Sequence, residues 1–254
     1  MLIESPRHTA ADLRHWYAME SLDARVATSR RFLSAVSRAV RTVETFAASH
    51  SGAYASISWG KDSVVVAHMA HMAGLPLRHL RWDPLMNPDS YRVRDAFLSS
   101  CPSAYEELNI PAVWQGEAGW LLLGITDRWA TMSELYGSHR IVGVRGTESA
   151  DRARSAKFHG ATSGGSCRPL IDWPAEYVYA YLYLNRLPVH PAYACTFGGS
   201  LDRMRLRVGD LGGNLGTGVG RADWERRYYS DELEAVRRLE NDDGSDGLPD
   251  DLEL

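Results

Sequence analysis

The sequence predicts an α/β protein, a three-layer, mostly parallel twisted sheet with helices on both faces and an N-terminal helical extension. Three observations carry this expectation. An amphipathic helical stretch comes first, a strand–loop–helix–strand run follows it, and a later strand empties into a long polar segment. Alternation of strands and helices is the pattern of a parallel sheet covered by crossovers.

Residues 21–48 place Val26, Phe32, Leu33, Val36, Val40, Val43 and Phe46 at separations near three and four, which predicts a helix ended by the polar Ser49-His50-Ser51-Gly52. Residues 53–58 are short and apolar enough for a buried strand. Gly60-Lys61-Asp62-Ser63 then opens an apolar helix running to Met72. Past Gly74 and Pro76, the run Leu77–Trp82 predicts a second strand, closed by Asp83-Pro84, because proline has no N–H for a further ladder bond.

Further along, helices are expected near 90–99 and 118–135, with a short strand over 112–115. A strand at 140–145 leads into polar residues 146–165, as at the carboxyl edge of a parallel sheet, where ligands bind. Asp172 is a candidate cap for a helix with Pro174 in its first turn, continuing to Asn185 and closed by Pro188. Trp173, Tyr177 and Tyr181 lie at near-helical spacing and are expected in the core. Six glycines among residues 209–220 suggest a mobile loop, and the acidic last dozen residues suggest disorder. The expected organisation is a helical extension over 1–50, a nucleotide-binding α/β domain over 51–200, a basic and glycine-rich segment over 201–240 packed on that domain, and an acidic tail over 241–254.

Composition narrows the classes. With 44% apolar and 24% charged residues in a chain of 254, a continuous core is expected rather than a disordered or disulfide-stapled chain. The net charge of -4 removes any overall electrostatic footprint for non-specific nucleic-acid binding, leaving only local basic patches such as 203–207 with Arg221. No apolar run reaches the roughly 18 residues of a membrane span, and no basic-then-apolar leader opens the chain, so no membrane association and a cytoplasmic location are expected. Cys101, Cys167 and Cys195 are odd in number and widely spaced, matching neither a disulfide framework nor a paired metal site.

The chemistry is concentrated in Ser58-Trp59-Gly60-Lys61-Asp62-Ser63. A loop joining a strand to the first turn of a helix presents unpaired N–H groups and the positive end of the helix dipole. Glycine lets the backbone approach a ligand, and Lys61 and the serines add donors. These are the parts of a polyphosphate site, although the spacing is not that of the G-x-x-x-x-G-K-[ST] loop. Trp59 is too bulky for any positive-φ conformation that needs glycine, and it is expected to pack on the ligand or on the sheet.

These residues resemble the S-G-G-K-D-S loop of the PP-loop, or adenine nucleotide alpha hydrolase, superfamily, with Trp59 in place of the first glycine. Gly143-Val144-Arg145-Gly146-Thr147-Glu148-Ser149-Ala150-Asp151-Arg152 resembles the G-x-R-x-x-E-S-x-x-R block of its phosphoadenosine phosphosulfate reductase-like branch. Arg168-Pro169-Leu170-Ile171-Asp172-Trp173 and Leu187-Pro188-Val189-His190-Pro191-Ala192-Tyr193 resemble a third block of that branch. The resemblance implies cleavage of ATP to AMP and pyrophosphate, with adenylation of a second substrate in sulfur transfer or nucleic-acid modification. Lys61, Arg145, Glu148 and Arg152 would be catalytic. Ser56, Ser58, Trp59, Gly60, Lys61, Asp62, Ser63, Asp83 and Gly143 would bind the nucleotide. Mg²⁺ is implied as the partner of the polyphosphate, with Asp62 the one candidate protein contact.

Reductases of this branch are expected to carry a late E-C-G-[IL]-H segment, and this chain has no cysteine after Cys195. A single cysteine also cannot hold an iron–sulfur cluster, so none is expected. Cys195 is left as a candidate nucleophile, provided that a neighbouring cation lowers its pKa, and His190 as a candidate acid or base near it. Alternatives to ATP cleavage are a sulfonucleotide reductase using Cys195, a flavin-type adenylyltransferase, and a non-catalytic nucleotide-binding subunit. The expected partners are an adenine nucleotide, an unidentified acceptor, a protein acting on nucleic acid, and a second copy of the chain.

Overall fold

The computed structural model describes residues 1–83, 85–115, 120–122, 128–211 and 221–242. The chain divides into two compact units. The first comprises Met1–Leu80, Pro88–Leu108 and Asp127–Val208; the second comprises the described residues of Arg81–Asn87, Asn109–Thr126 and Gly209–Leu254.

The first unit is a three-layer α/β fold preceded by two helices, α1 (Ala10–Ala27) and α2 (Arg30–Ser49). The sequence suggested one helix over 21–48, but the chain breaks at Thr28-Ser29 because Ser29 caps α2, its side chain accepting from the Phe32 amide. α1 begins in a capping box in which Thr9 and Asp12 satisfy each other's amides. The Asp12 carboxylate also accepts from Thr196 and Gly198 amides and so ties α1 to a distant loop.

The sheet contains β1 (Tyr54–Ile57), β2 (Leu77–Arg81), β3 (Tyr105–Asn109), β6 (Arg140–Val142), β7 (Thr162–Ser163) and β8 (Ser166–Cys167), in the order β3-β2-β1-β6-β8-β7. β4 (Ala112–Trp114) and β5 (Trp120–Leu122) form a separate antiparallel pair. β1 is central and parallel to both neighbours, Ala55 lying opposite Leu77 on one side and Ile141 on the other. All four β1 residues are buried, as expected for a strand covered on both faces. β6 pairs parallel with β8, and the β7–β8 hairpin adds the one antiparallel pairing described in this sheet. The expected strand at 140–145 stops at Val142, where the chain turns toward the site.

α3 (Lys61–Met72) follows β1 and packs against β1 and β6. Eight of its twelve residues, including Lys61 and Ser63, are buried, so it lies inside the fold rather than along its surface. α4 (Asp89–Ser100) and α5 (Arg128–Tyr136) match the helices expected near 90–99 and in the later part of 118–135; residues 120–122 are strand instead. α6 (Ala150–His159) lies inside the stretch read as polar, and has no buried residue. α7 (Ala175–Leu184) starts after Pro174, with no side-chain cap from Asp172, which is exposed. Trp173 and Tyr181 are buried, and Phe32 of α2 meets Trp173 and Tyr177 edge to face.

In the second unit, α8 (Arg221–Tyr228) and α9 (Ser230–Asp242) pack on each other around Trp224, Tyr228 and Tyr229. The glycine-rich loop is described only as far as Leu211, so nearly all of it, and the expected disordered tail beyond residue 242, lie outside the described residues. No described helix is long and apolar enough to cross a membrane.

Candidate nucleotide site at the start of helix α3

The chain leaves β1 at its carboxyl end, makes the turn 58–60, and enters α3. β1 connects onward to β2 on one side, while β6, on its other side, comes much later in the chain. Such a reversal of strand order opens a crevice at the carboxyl ends of the two strands, the usual ligand position in parallel sheets. A cavity of about 260 Å³ occupies that crevice, lined by the 56–63 loop apart from Trp59, by 142–144, by Glu148 and Arg152, and by Tyr193, Arg207, Val208 and Trp129.

The loop is organised from within. The Ser58 amide donates to the Ser63 hydroxyl at 2.7 Å, and the Lys61 amide donates to the Tyr193 hydroxyl at 3.1 Å. Val64 starts the helical ladder by bonding to the Gly60 carbonyl. The amides of Gly60, Asp62 and Ser63 have no acceptor among the described residues. Free N–H groups at a helix start, beside a cavity, are the donors on which an anion can be seated.

Gly143, at the end of β6, permits the close approach that shapes this turn. Its φ is outside the left-handed region, so space alone demands glycine: a β-carbon there would stand 2.8 Å from the Asp62 carbonyl oxygen.

Trp59 corrects the sequence reading in its backbone and in its expected nucleotide contact, while its ring takes the expected alternative of packing on the sheet. Its φ is +59°, inside the left-handed region from which its bulk was expected to exclude it. The side chain is fully buried, with its ring against His79, Phe97 and Tyr105, so it packs into the core and does not line the cavity. That burial outweighs the strained backbone, since a buried Trp is worth several kcal/mol against about 1–2 for a left-handed residue.

Behind and beside the turn runs a ladder of alternating charge. Lys61, almost fully buried, holds one Asp62 oxygen at 3.0 Å and lies 5.1 Å from the centre of the Tyr193 ring. Arg145 binds the other Asp62 oxygen, donates to Thr147 at 3.0 Å and approaches Glu148 at 3.6 Å. Glu148 pairs in turn with Arg152, and Arg207 donates to the Glu148 carbonyl at 3.0 Å. Lys61, Arg145, Arg152 and Arg207 thus gather around Asp62 and Glu148, a concentration of cations suited to phosphate oxygens. Partial burial pushes the Arg152 pKa down, and the nearby Arg207 and Arg145 add to this, although Asp62 opposes it. An anion between these cations relieves their mutual repulsion.

Most predicted residues therefore meet in one place: Ser56, Ser58, Gly60, Lys61, Asp62, Ser63, Gly143, Glu148 and Arg152 line the cavity. Arg145 does not; it is buried behind the loop and holds Asp62 in place. Asp83 belongs to the second unit, where it pairs with Arg81 and its amide donates to Asn109. Asp62 is a poor metal contact, because Arg145 and Lys61 each take one of its oxygens. No group of three His, Cys, Asp or Glu side chains suited to a metal occurs among the described residues.

The Cys195 proposal fails on environment. The thiol is fully buried, and burial pushes its pKa up while Asp12 and Asp89 add to the shift; a nucleophile needs the reverse. His190 is neutral and structural: its Nδ1 accepts the Ala192 amide at 3.1 Å, and burial pushes its pKa down to about 3.

Tyr193 and Arg207 were the residues missed. Both stood in stretches already singled out, the third block and the basic run, but sequence spacing could not bring 193 and 207 to residue 61.

No family model and no curated protein matches the chain. Among solved structures, the chain is similar to phosphoadenylyl-sulfate reductase from Candida auris in its phosphate complex, at 14% identity and a TM-score of 0.43, covering 68% of this chain and 88% of that one. It is similar to NMN synthetase from Francisella tularensis at 12% identity and a TM-score of 0.45, over 87% and 99% of the two chains. It is also similar to NAD+ synthetase from Burkholderia pseudomallei at 13% identity and a TM-score of 0.40, over 94% and 97%.

Proposed function

We propose that the turn at the start of α3 binds the polyphosphate of ATP and that the chain cleaves the α–β bond, releasing pyrophosphate and transferring the adenylyl group to a second substrate. The observation that carries this reading is the set of unpartnered amides of Gly60, Asp62 and Ser63 facing a cavity rimmed by Lys61, Arg152 and Arg207. In such a step a nucleophilic atom of the acceptor attacks the α phosphorus while the bond to the bridging oxygen breaks and pyrophosphate leaves. The charge that grows on pyrophosphate is met by the helix amides and the cations, already in position before reaction. Mg²⁺ fits this reading as a counter-ion brought by the polyphosphate rather than as an ion caged by protein.

The test is incubation with ATP and Mg²⁺, alone and with candidate acceptors, followed by product identification. Pyrophosphate is expected, with the adenylyl group recovered on the acceptor, or as AMP where water or a second nucleophile displaces it; Lys61→Ala should weaken ATP binding at least tenfold, the loss of one charge-assisted contact. Release of ADP and phosphate would refute the reaction, and unchanged ATP affinity in Lys61→Ala would refute the site.

A further inference from the structure

We infer that the Tyr193 hydroxyl is a donor to the bound anion and takes the place of the Lys61 amide in the phosphate cradle; this rests on the polyphosphate reading above. A helix start ordinarily offers its first amides directly to an anion. Here the first of them, that of Lys61, is already spent on Tyr193 at 3.1 Å. The hydroxyl stands over the turn, 3.3 Å from where a Gly60 β-carbon would be, and Tyr193 lines the cavity although it is 2% exposed.

A phenol has one proton to give and two lone pairs to receive. The Lys61 amide uses one lone pair, and the Val208 amide also bears on the oxygen. No acceptor for the Tyr193 proton occurs among the described residues. Burial pushes the Tyr193 pKa up, so the proton stays on the oxygen, although Lys61 opposes the shift. A buried hydroxyl whose oxygen is engaged by amides and whose proton has no acceptor is a donor polarised toward whatever fills the cavity. Accepting from Lys61 makes the O–H a stronger donor, because successive hydrogen bonds polarise one another. The group best matched to it is a phosphate oxygen lying on the Gly60, Asp62 and Ser63 amides.

The experiment measures inorganic pyrophosphate and ATP binding by calorimetry for the wild type, for Tyr193→Phe, and for protein carrying 3-fluorotyrosine at position 193. Tyr193→Phe keeps the ring beside Lys61 and should bind both ligands roughly ten- to a hundredfold more weakly, as when a hydrogen bond to a charged group is lost. Fluorination makes the phenol a better donor and a poorer acceptor, so it should tighten binding; a hydroxyl that served only to hold the Lys61 amide would loosen it. Tighter binding by Tyr193→Phe would mean that the hydroxyl competes with the anion for that amide, and would overturn the inference. So would wild-type affinity in Tyr193→Phe. If Tyr193→Phe does not fold, the fluorotyrosine comparison decides alone. Failure of the wild type to bind either ligand would instead remove the polyphosphate reading itself.

Discussion

Gly143 and Asp62 approach so closely that a β-carbon on Gly143 would lie 2.8 Å from both the carbonyl carbon and the carbonyl oxygen of Asp62, and 3.0 Å from the Ser63 nitrogen. The end of β6 is thus pressed against the first turn of α3 at the amides that face the cavity. Because the obstacles are backbone atoms, no side chain can move aside. Gly143→Ala should destabilise the fold by about 1–3 kcal/mol, as overpacking does, and weaken nucleotide binding further by covering the Ser63 amide. Urea unfolding and ATP titration of the variant check this, and an unperturbed variant would mean that β6 and α3 are not so tightly apposed.

Trp59 offers a second test, in which two substitutions should fall in an unusual order. Both Trp59→Ala and Trp59→Gly empty the space beside His79, Phe97 and Tyr105, a loss of about 3–5 kcal/mol. Only glycine is at ease at φ +59°, so Trp59→Gly should be the more stable of the two by about 1 kcal/mol. In ordinary extended or helical backbone the order would be reversed. Denaturation midpoints of the two variants decide between these cases.

The buried His190 gives the stability a pH dependence. Its folded pKa is lowered from 6.5 to about 3, chiefly by burial, with Asp89 pulling it up and Arg92 and Arg7 pulling it down. The unfolded ring binds a proton below about pH 6.5 while the folded ring does not, so the unfolded state holds more protons between those values. The contribution of His190 is therefore complete above pH 6.5 and is lost as pH falls toward 3, by up to about 1.4 kcal/mol per unit. His190→Asn keeps an acceptor for the Ala192 amide without a titrating ring. The difference in unfolding free energy between wild type and this variant should shrink from pH 7 to pH 5; a constant difference would show that the ring titrates alike in both states.

Much of this protein is determined by sequence alone. Local patterns suffice for β1, the turn, and α3: an apolar run and then a glycine before a helix start, with donors at 58, 61 and 63, mark the strand, turn and helix that form there. The second block likewise supplies Glu148 and Arg152 because they sit beside the same strand end. Tertiary structure decided what depends on distance in space. It turned Trp59 inward, since burial of a large ring outweighs a strained φ. It withdrew Arg145 behind Asp62 and sealed Cys195 and His190 from solvent, since desolvation is set by neighbours remote in the chain. It also brought the Tyr193 hydroxyl onto the Lys61 amide across 132 residues, an encounter written only in the packing of the 190–194 turn against the start of α3.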